Sequence, residues 1–263
     1  INFKGQSVKW RMIEGERKMR NLLVVIVLAL LLTSIGCSDE NSYSITPNIT
    51  IKGSGNLVSA ELSLDSFHSV HITTAGLVNI TSGTKQTASL TVDDNILEHL
   101  LITASNGILV IGIESGKQLN DFDLTLELTM TDLEELSTSS AGTIVGRNKS
   151  ETDEVIFNVS SAGSISLEIE AEQIVSNLSS AGSLELSGNA KTHHATISSV
   201  GSLISFGLVT ESTFATLTSV GNAEVYTTQT LNVMITSLGS VFYKGNPIIS
   251  QVITSLGIVV NAN

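Results

Sequence analysis

A four-residue phrase, Ser/Thr-Ser-apolar-Gly, is written seven times between Ser139 and Gly257. The copies end on Gly142, Gly163, Gly182, Gly201, Gly221, Gly239 and Gly257, spaced 21, 19, 19, 20, 18 and 18 residues apart. A period near twenty belongs to units that cannot bury an apolar face alone and therefore stack on their neighbours. The chain is predicted to coil as a solenoid.

The residues around each glycine set the kind of coil. Four positions before it stand Thr138, Val159, Leu178, Ile197, Leu217, Ile235 and Ile253; two after it stand Ile144, Ile165, Leu184, Leu203, Ala223, Val241 and Val259. Alternation by twos is a strand pattern. The expectation is an all-β, single-domain parallel β-helix or β-solenoid with rungs of about 18–21 residues. Counting by twos through an unbroken strand places Ser140, Ser161, Ser180, Ser199, Ser219, Ser237 and Ser255 on the same side as those apolar residues. Stacked rungs would then carry a serine column, which can satisfy its own hydrogen bonds from rung to rung, beside a glycine column. Glycine is expected there for a positive φ or for a close backbone neighbour. The residue before the glycine grows from Ala through Val to Leu, which predicts a column that widens or becomes more covered towards the C-terminus. The repeat is read as architectural, with a binding role for the serine column as the other reading.

The N-terminal part carries a different message. Residues 1–18 are basic and polar and lead through Met19-Arg20 to the apolar run from Leu22 to Leu32. That run is too short for a bilayer span and suits a signal-peptide core, so residues 19–36 are read as a signal peptide and residues 1–18 as an upstream extension, with Met19 the more natural initiator. The one cysteine, Cys37, follows in Leu32-Thr33-Ser34-Ile35-Gly36-Cys37, which resembles the lipobox of bacterial lipoproteins apart from Ser34, where leucine is usual. The resemblance implies lipidation of Cys37, and Ser38-Asp39-Glu40 looks like the acidic surface-export tag of Bacteroidota lipoproteins. A protein held in the outer membrane or at the cell surface by its acyl chains is expected. Residues 37–48, polar and containing Pro47, read as the lipidated cysteine and its tether.

Removing residues 1–36 takes six of the 13 basic and two of the 25 acidic residues, leaving 7 against 23, net −16. Such a chain is not expected to bind nucleic acid, which needs clustered Lys and Arg. Trp10 is lost with that segment, so sugar stacking on indole is excluded. The folded part is read as residues 49–263, with regular repeats in 136–263 and irregular capping rungs in 49–135; a separate β-domain over 49–135 is the other possibility. Thr73-Thr74-Ala75-Gly76 echoes the later phrase 66 residues before Gly142, roughly three rungs away.

Gly53-Ser54-Gly55 with Phe67 and Val70, Asp93-Asp94-Asn95-Ile96, Asn106-Gly107-Ile108-Leu109, the Ser-x-Gly-Ser rungs and the final Val241-Phe242-Tyr243-Lys244-Gly245-Asn246-Pro247 together resemble the putative auto-transporter adhesin head GIN family. The likeness spans nearly all of residues 49–263, and its Tyr-x-Gly-x-Pro turn is the most specific element. Family rungs often read Gly-Ser-Gly where this chain has Ser-Ala-Gly-Ser. The resemblance implies a β-helix like those of the pectin-lyase type, a role in cell-surface adhesion and no catalytic residues.

The residues themselves offer little chemistry. Of His68, His71, His99, His193 and His194, the adjacent pair points to opposite faces of a strand and is read as a solvated edge. Asp121 and Asp123 would share a strand face, as would Glu168, Glu170 and Glu172; such rows can take Ca²⁺, but are read as solvated charge. No cofactor is expected.

Two functions remain. One is a non-enzymatic surface lipoprotein whose Ser/Thr-rich face holds polysaccharide, or the surface of a host or neighbouring cell, through many weak bonds that add by avidity, with a homo-oligomer adding more. The alternative is a polysaccharide-degrading β-helix enzyme, which needs a base and a group to neutralise sugar carboxylates; Arg147 and six lysines follow no repeated pattern with acids.

Overall fold

The computed structural model describes residues 49–263; the apolar run, Cys37 and the tether lie outside the described residues. The strands in chain order are β1 (Ile49–Lys52), β2 (Leu57–Glu61), β3 (Phe67–Ile72), β4 (Gly76–Ser82), β5 (Thr87–Asp93), β6 (Leu100–Ser105), β7 (Gly107–Ile113), β8 (Lys117–Asn120), β9 (Leu124–Met130), β10 (Glu135–Thr138), β11 (Gly142–Gly146) and β12 (Ser150–Val159). Then come β13 (Ser164–Leu178), β14 (Ser183–Ile197), β15 (Ser202–Leu217), β16 (Asn222–Ile235), β17 (Ser240–Lys244), β18 (Ile248–Ile253) and β19 (Ile258–Asn261). A 3-10 turn, Leu97–His99, is the one helical element among the described residues.

One rung shows how the sequence makes the coil. In β13, Ile165, Leu167, Ile169 and Ala171 are buried, while Ser166, Glu168 and Glu170 face outward. At Glu172-Gln173 two successive residues turn outward, so the buried set changes parity and resumes at Ile174, Ser176 and Leu178. That is one corner. Ser179-Ser180-Ala181-Gly182 makes the other, and β14 repeats the course. Each rung thus has two flat limbs, and the stack forms two sheets across one continuous core. Burying each Leu or Ile stabilises by about 1.5–3 kcal/mol, so the aliphatic side chains of each limb carry the packing.

The limbs stack in parallel from β3 and β4 to β18 and β19. Residues directly after the repeat glycines lie in one file: Thr143, Ser164, Ser183, Ser202, Asn222, Ser240 and Ile258. The seven glycines therefore also form one file, which Gly76 extends by pairing with Gly142. Here the sequence spacing misleads. Gly76 and Gly142 belong to adjacent rungs, because β5 to β9 form an excursion: β7 and β9 pair with the outer edges of β3 and β4, and β10 and β11 return to their inner edges. Antiparallel β5 on β9, β2 on β5 and β6 on β7 close this end. Buried Asp93 fastens the closure, its Oδ1 accepting the Gly55 N–H (2.5 Å) and its Oδ2 the Asp123 N–H (2.7 Å). β1 pairs in parallel with β8 beside it.

None of the seven repeat glycines has a positive φ. Their need is space: a Cβ on Gly182 would stand 2.4 Å from the Val159 carbonyl oxygen, and one on Gly221 2.3 Å from Ile197 Cγ2.

The serine column does not face inward. The strand is broken at the phrase: Ser140, Ser161 and Ser180 have φ of 47–55° and Ala141, Ala162 and Ala181 of 65–67°. Two left-handed residues in succession close a tight turn, in which the Gly163 N–H donates to Ser160 O and the Gly182 N–H to Ser179 O, each at 2.8 Å. The glycine reaches the interior; Ser140, Ser161, Ser180, Ser199 and Ser255 are exposed, with Ser219 and Ser237 half-buried. Nor does the interior widen. Bulky residues, β-branched ones above all, are disfavoured in the left-handed region; at Ser199-Val200 only the serine keeps a positive φ (56°), and in the last three copies, which carry Val or Leu, neither residue does. The growth from Ala to Leu changes the turn backbone and leaves Val200, Val220, Leu238 and Leu256 outside.

Candidate binding groove

On the outer face of the second sheet, register places Ser137, Asn158, Asn177, Thr196 and Thr216 in one file. Beside it runs the first hydroxyl residue of the phrase, Ser160, Ser179 and Ser198. The two files line a shallow groove of about 200 Å³, floored by Val159 and Leu178, in which no lining side chain is ionisable. The amides are held in place from rung to rung: Asn177 Nδ2 donates to Asn158 Oδ1 (2.9 Å), and Asn158 Nδ2 to Glu135 Oε1 (2.8 Å). His71 Nε2 lies 3.1 Å from that same carboxylate oxygen. Polar groups repeated at the sheet spacing of about 4.8 Å, on a rigid backbone, make a ruler of donors and acceptors. Sequence reasoning chose the second serine of each phrase; the first one turns towards the groove. The signal for the amide file was the pair Asn158 and Asn177, two residues before their phrases.

A wider trough of about 560 Å³ follows the Glu172 corner, with Glu151, Asp153, Glu170, Glu172, Lys191 and Glu211 in its wall. Glu168, Glu170 and Glu172 do lie outward on one strand face. Lys149 bridges Glu170 (2.8 Å) and Glu151 (3.0 Å), and hydrogen bonds to Glu170 and then Glu151 raise its pKa. Lys191 pairs with Glu172. The lysines nearest the trough are thus engaged with carboxylates. Asp121 and Asp123 do not share a strand face: Asp121 sits in the turn after β8 with φ 49° and pairs with Lys52 (2.8 Å).

The histidine pair is not a solvated edge. His193 is buried at 1% exposure, and its Nε2 meets Ser176 Oγ at 2.9 Å. Burial, then the charge of His194, pushes its pKa down to about 4. His194 points outward and stacks on Phe214 of the next rung, with ring centroids 4.6 Å apart and planes within 8°. His68 contacts Glu134 (2.8 Å), and His99 lies between Glu98 and Glu114 at 3.6 Å from each. Unforeseen in the sequence is a buried hydroxyl cluster: Thr213 is 2.8 Å from Thr210 and 2.6 Å from Thr227. Its hint was the change of period from 20 to 18 residues, which the structure absorbs as register shifts after Ser205 and Thr210.

Two-limbed parallel rungs on one core, closed at the N-terminal end, define a β-solenoid. Residues 66–247 match the family described as putative auto-transporter adhesin, head GIN domain, and the chain belongs to it. A putative adhesin from Bacteroides fragilis NCTC 9343 has the same fold (TM-score 0.76, 21% identity, 80% of this chain and 99% of that one). So do a putative lipid binding protein from Parabacteroides distasonis ATCC 8503 (TM-score 0.66, 21% identity, 81% and 100%) and a putative adhesin from Parabacteroides merdae ATCC 43184 (0.66, 20%, 82% and 100%). No curated protein matches the chain.

Proposed function

We propose that the protein is a non-enzymatic surface lipoprotein that adheres by holding a linear polysaccharide along the Asn/Thr/Ser groove. The observation that carries this reading is the groove's repeat of one amide or hydroxyl side chain per rung, the amides of Asn158 and Asn177 held by hydrogen bonds, at a spacing close to the length of one sugar residue in an extended chain. Each bond is weak in water, and a ligand crossing several rungs gains them together. The residues lining the groove carry no ionisable group, and the Glu135 carboxylate beside it is engaged by the Asn158 amide and by His71. The membership in an adhesin family supports surface attachment. Cys37, with residues 37–48 as tether, supplies the acyl anchor, and the outer membrane or cell surface is the site of action.

Two experiments test the two halves. A glycan array probed with residues 38–263 should retain linear neutral polysaccharides, and Asn177→Ala with Thr196→Ala should weaken retention by about tenfold, as two lost hydrogen bonds imply. Release of shortened sugars would favour the enzyme, and retention unchanged in the double variant would remove the groove from consideration. Separately, Cys37→Ser should abolish acyl labelling and membrane retention; a variant still retained in the membrane fraction would refute the anchor.

A further inference from the structure

The two ends of the coil differ. At the N-terminal end antiparallel strands and the Asp93 latch cover the first rung. At the other end β18 pairs only with β16, and β19 only with β17, so among the described residues one edge of each has no strand partner. Among the described residues the core files run into that opening uncovered. Leu231 is fully buried, and its register partner Ile249 is 36% exposed. Ile235 and Val241 are likewise buried, while Ile253 and Val259 above them are half-exposed. Around the rim stand Ile248 and Leu256, 79% and 80% exposed. Solenoids ordinarily need a polar terminal repeat to stay soluble, and an open apolar edge strand is a pairing template.

Charge identifies the occupant. From Gly245 to Asn263 the sequence has no Asp, Glu, Lys, Arg or His, although the chain as a whole carries net −12. Two copies repel one another through the faces that carry the acidic residues, and not through this one. The opposite end cannot serve as the mate, because it is already closed and carries charged residues such as Glu61, Asp65, Lys52 and Asp121. We propose that the open ends of two copies pair across a twofold axis, with β18 and β19 meeting strands of the partner. A twofold axis perpendicular to the coil reverses the partner's strands against these, so the new pairing is antiparallel in either rotational setting, and it buries the Ile249, Ile253 and Val259 files.

The test uses residues 38–263, since relatives of that extent crystallise as the same fold. Sedimentation across the micromolar range should show a monomer–dimer equilibrium, and the thermal midpoint should rise with concentration. Val252→Glu with Leu256→Glu, both exposed and so compatible with folding, should weaken dimerisation by about a hundredfold with unchanged circular dichroism. Hydrogen exchange should show amides of Ile248–Ile253 and Ile258–Asn261 protected in the dimer and released on dilution. A wild-type protein that stays monomeric overturns the proposal, and so does a dimer that survives the double variant or protects other strands.

Discussion

Ser176 and His193, on neighbouring rungs, share a 2.9 Å hydrogen bond inside the core, the hydroxyl fully buried and the ring 99% so. His193 occupies a file that runs Val155, Ile174, His193, Thr213, Leu231 and Ile249. A ring in that position is uncharged in the folded protein at neutral pH.

The consequence is a pH dependence with a fixed sign. Unfolded, the ring titrates near 6.5; folded, burial holds it down to about 4. Between those values the unfolded chain binds the proton and the folded one does not, so this group's stability is present above about pH 6.5 and is lost as pH falls towards 4. Acidifying from about pH 7.5 to 5 should cost roughly 2 kcal/mol through this site. Ser176→Ala with His193→Leu removes both partners together, and its urea midpoint should fall less on acidification than the wild type's; equal slopes would mean that His193 is not the group responsible.

The threonine cluster should behave as a unit. Thr210 Oγ1 also donates to the Tyr226 carbonyl at 2.9 Å, so the hydroxyls of Thr210, Thr213 and Thr227 are satisfied largely by one another. Thr213→Val should cost about 1–2 kcal/mol by stranding its partners. The triple Val variant should cost less than the three single changes added together, as measured by denaturant unfolding. Strict additivity would show that the hydroxyls act separately.

Gly182→Ala should destabilise by roughly 2–3 kcal/mol, because the new methyl group meets the rigid Val159 carbonyl at 2.4 Å. Gly207→Ala is the control: its nearest atom is the Ser187 Cβ at 3.0 Å on the exposed surface, and the cost there should stay below about 1 kcal/mol. Similar values for the two would detach the glycine file from its steric explanation.

At the turn itself the order should be Gly, then Ala, then Val. Ala181 sits at φ 67°, so Ala181→Val forces a β-branched residue into the left-handed region at a cost of about 1–2 kcal/mol, whereas Val200→Ala in the next rung should be near neutral. A thermal-shift series is enough to rank them, and an Ala181→Val variant as stable as the wild type would contradict the turn assignment.

Period and alternation made the coil legible, since Val159, Leu178 and Ile197 before the phrase and Ile165, Leu184 and Leu203 after it stack as read. The same alternation failed inside the phrase, because consecutive left-handed residues at Ser180-Ala181 invert sidedness and leave no mark in a hydrophobic pattern. The adjacency of Gly76 and Gly142 was hidden as well: sequence distance counts residues, and the detour through β5 to β9 adds residues without adding rungs between them. The groove needed coordinates, because it joins Asn177 to Ser160 and Ser198, three residues on different rungs.

That detour sets the order in which the molecule can assemble. Travelling from the amino to the carboxyl terminus, β3 and β4 are made before either strand pair that will flank them, and their later-made inner neighbours, β10 and β11, arrive more than sixty residues afterwards. Every turn from β13 onward, by contrast, finds its predecessor already laid down. Contact order therefore places the expected slow commitment at the beginning of the coil, where the distant return must succeed, with the remainder winding on as a zipper runs from its fixed end.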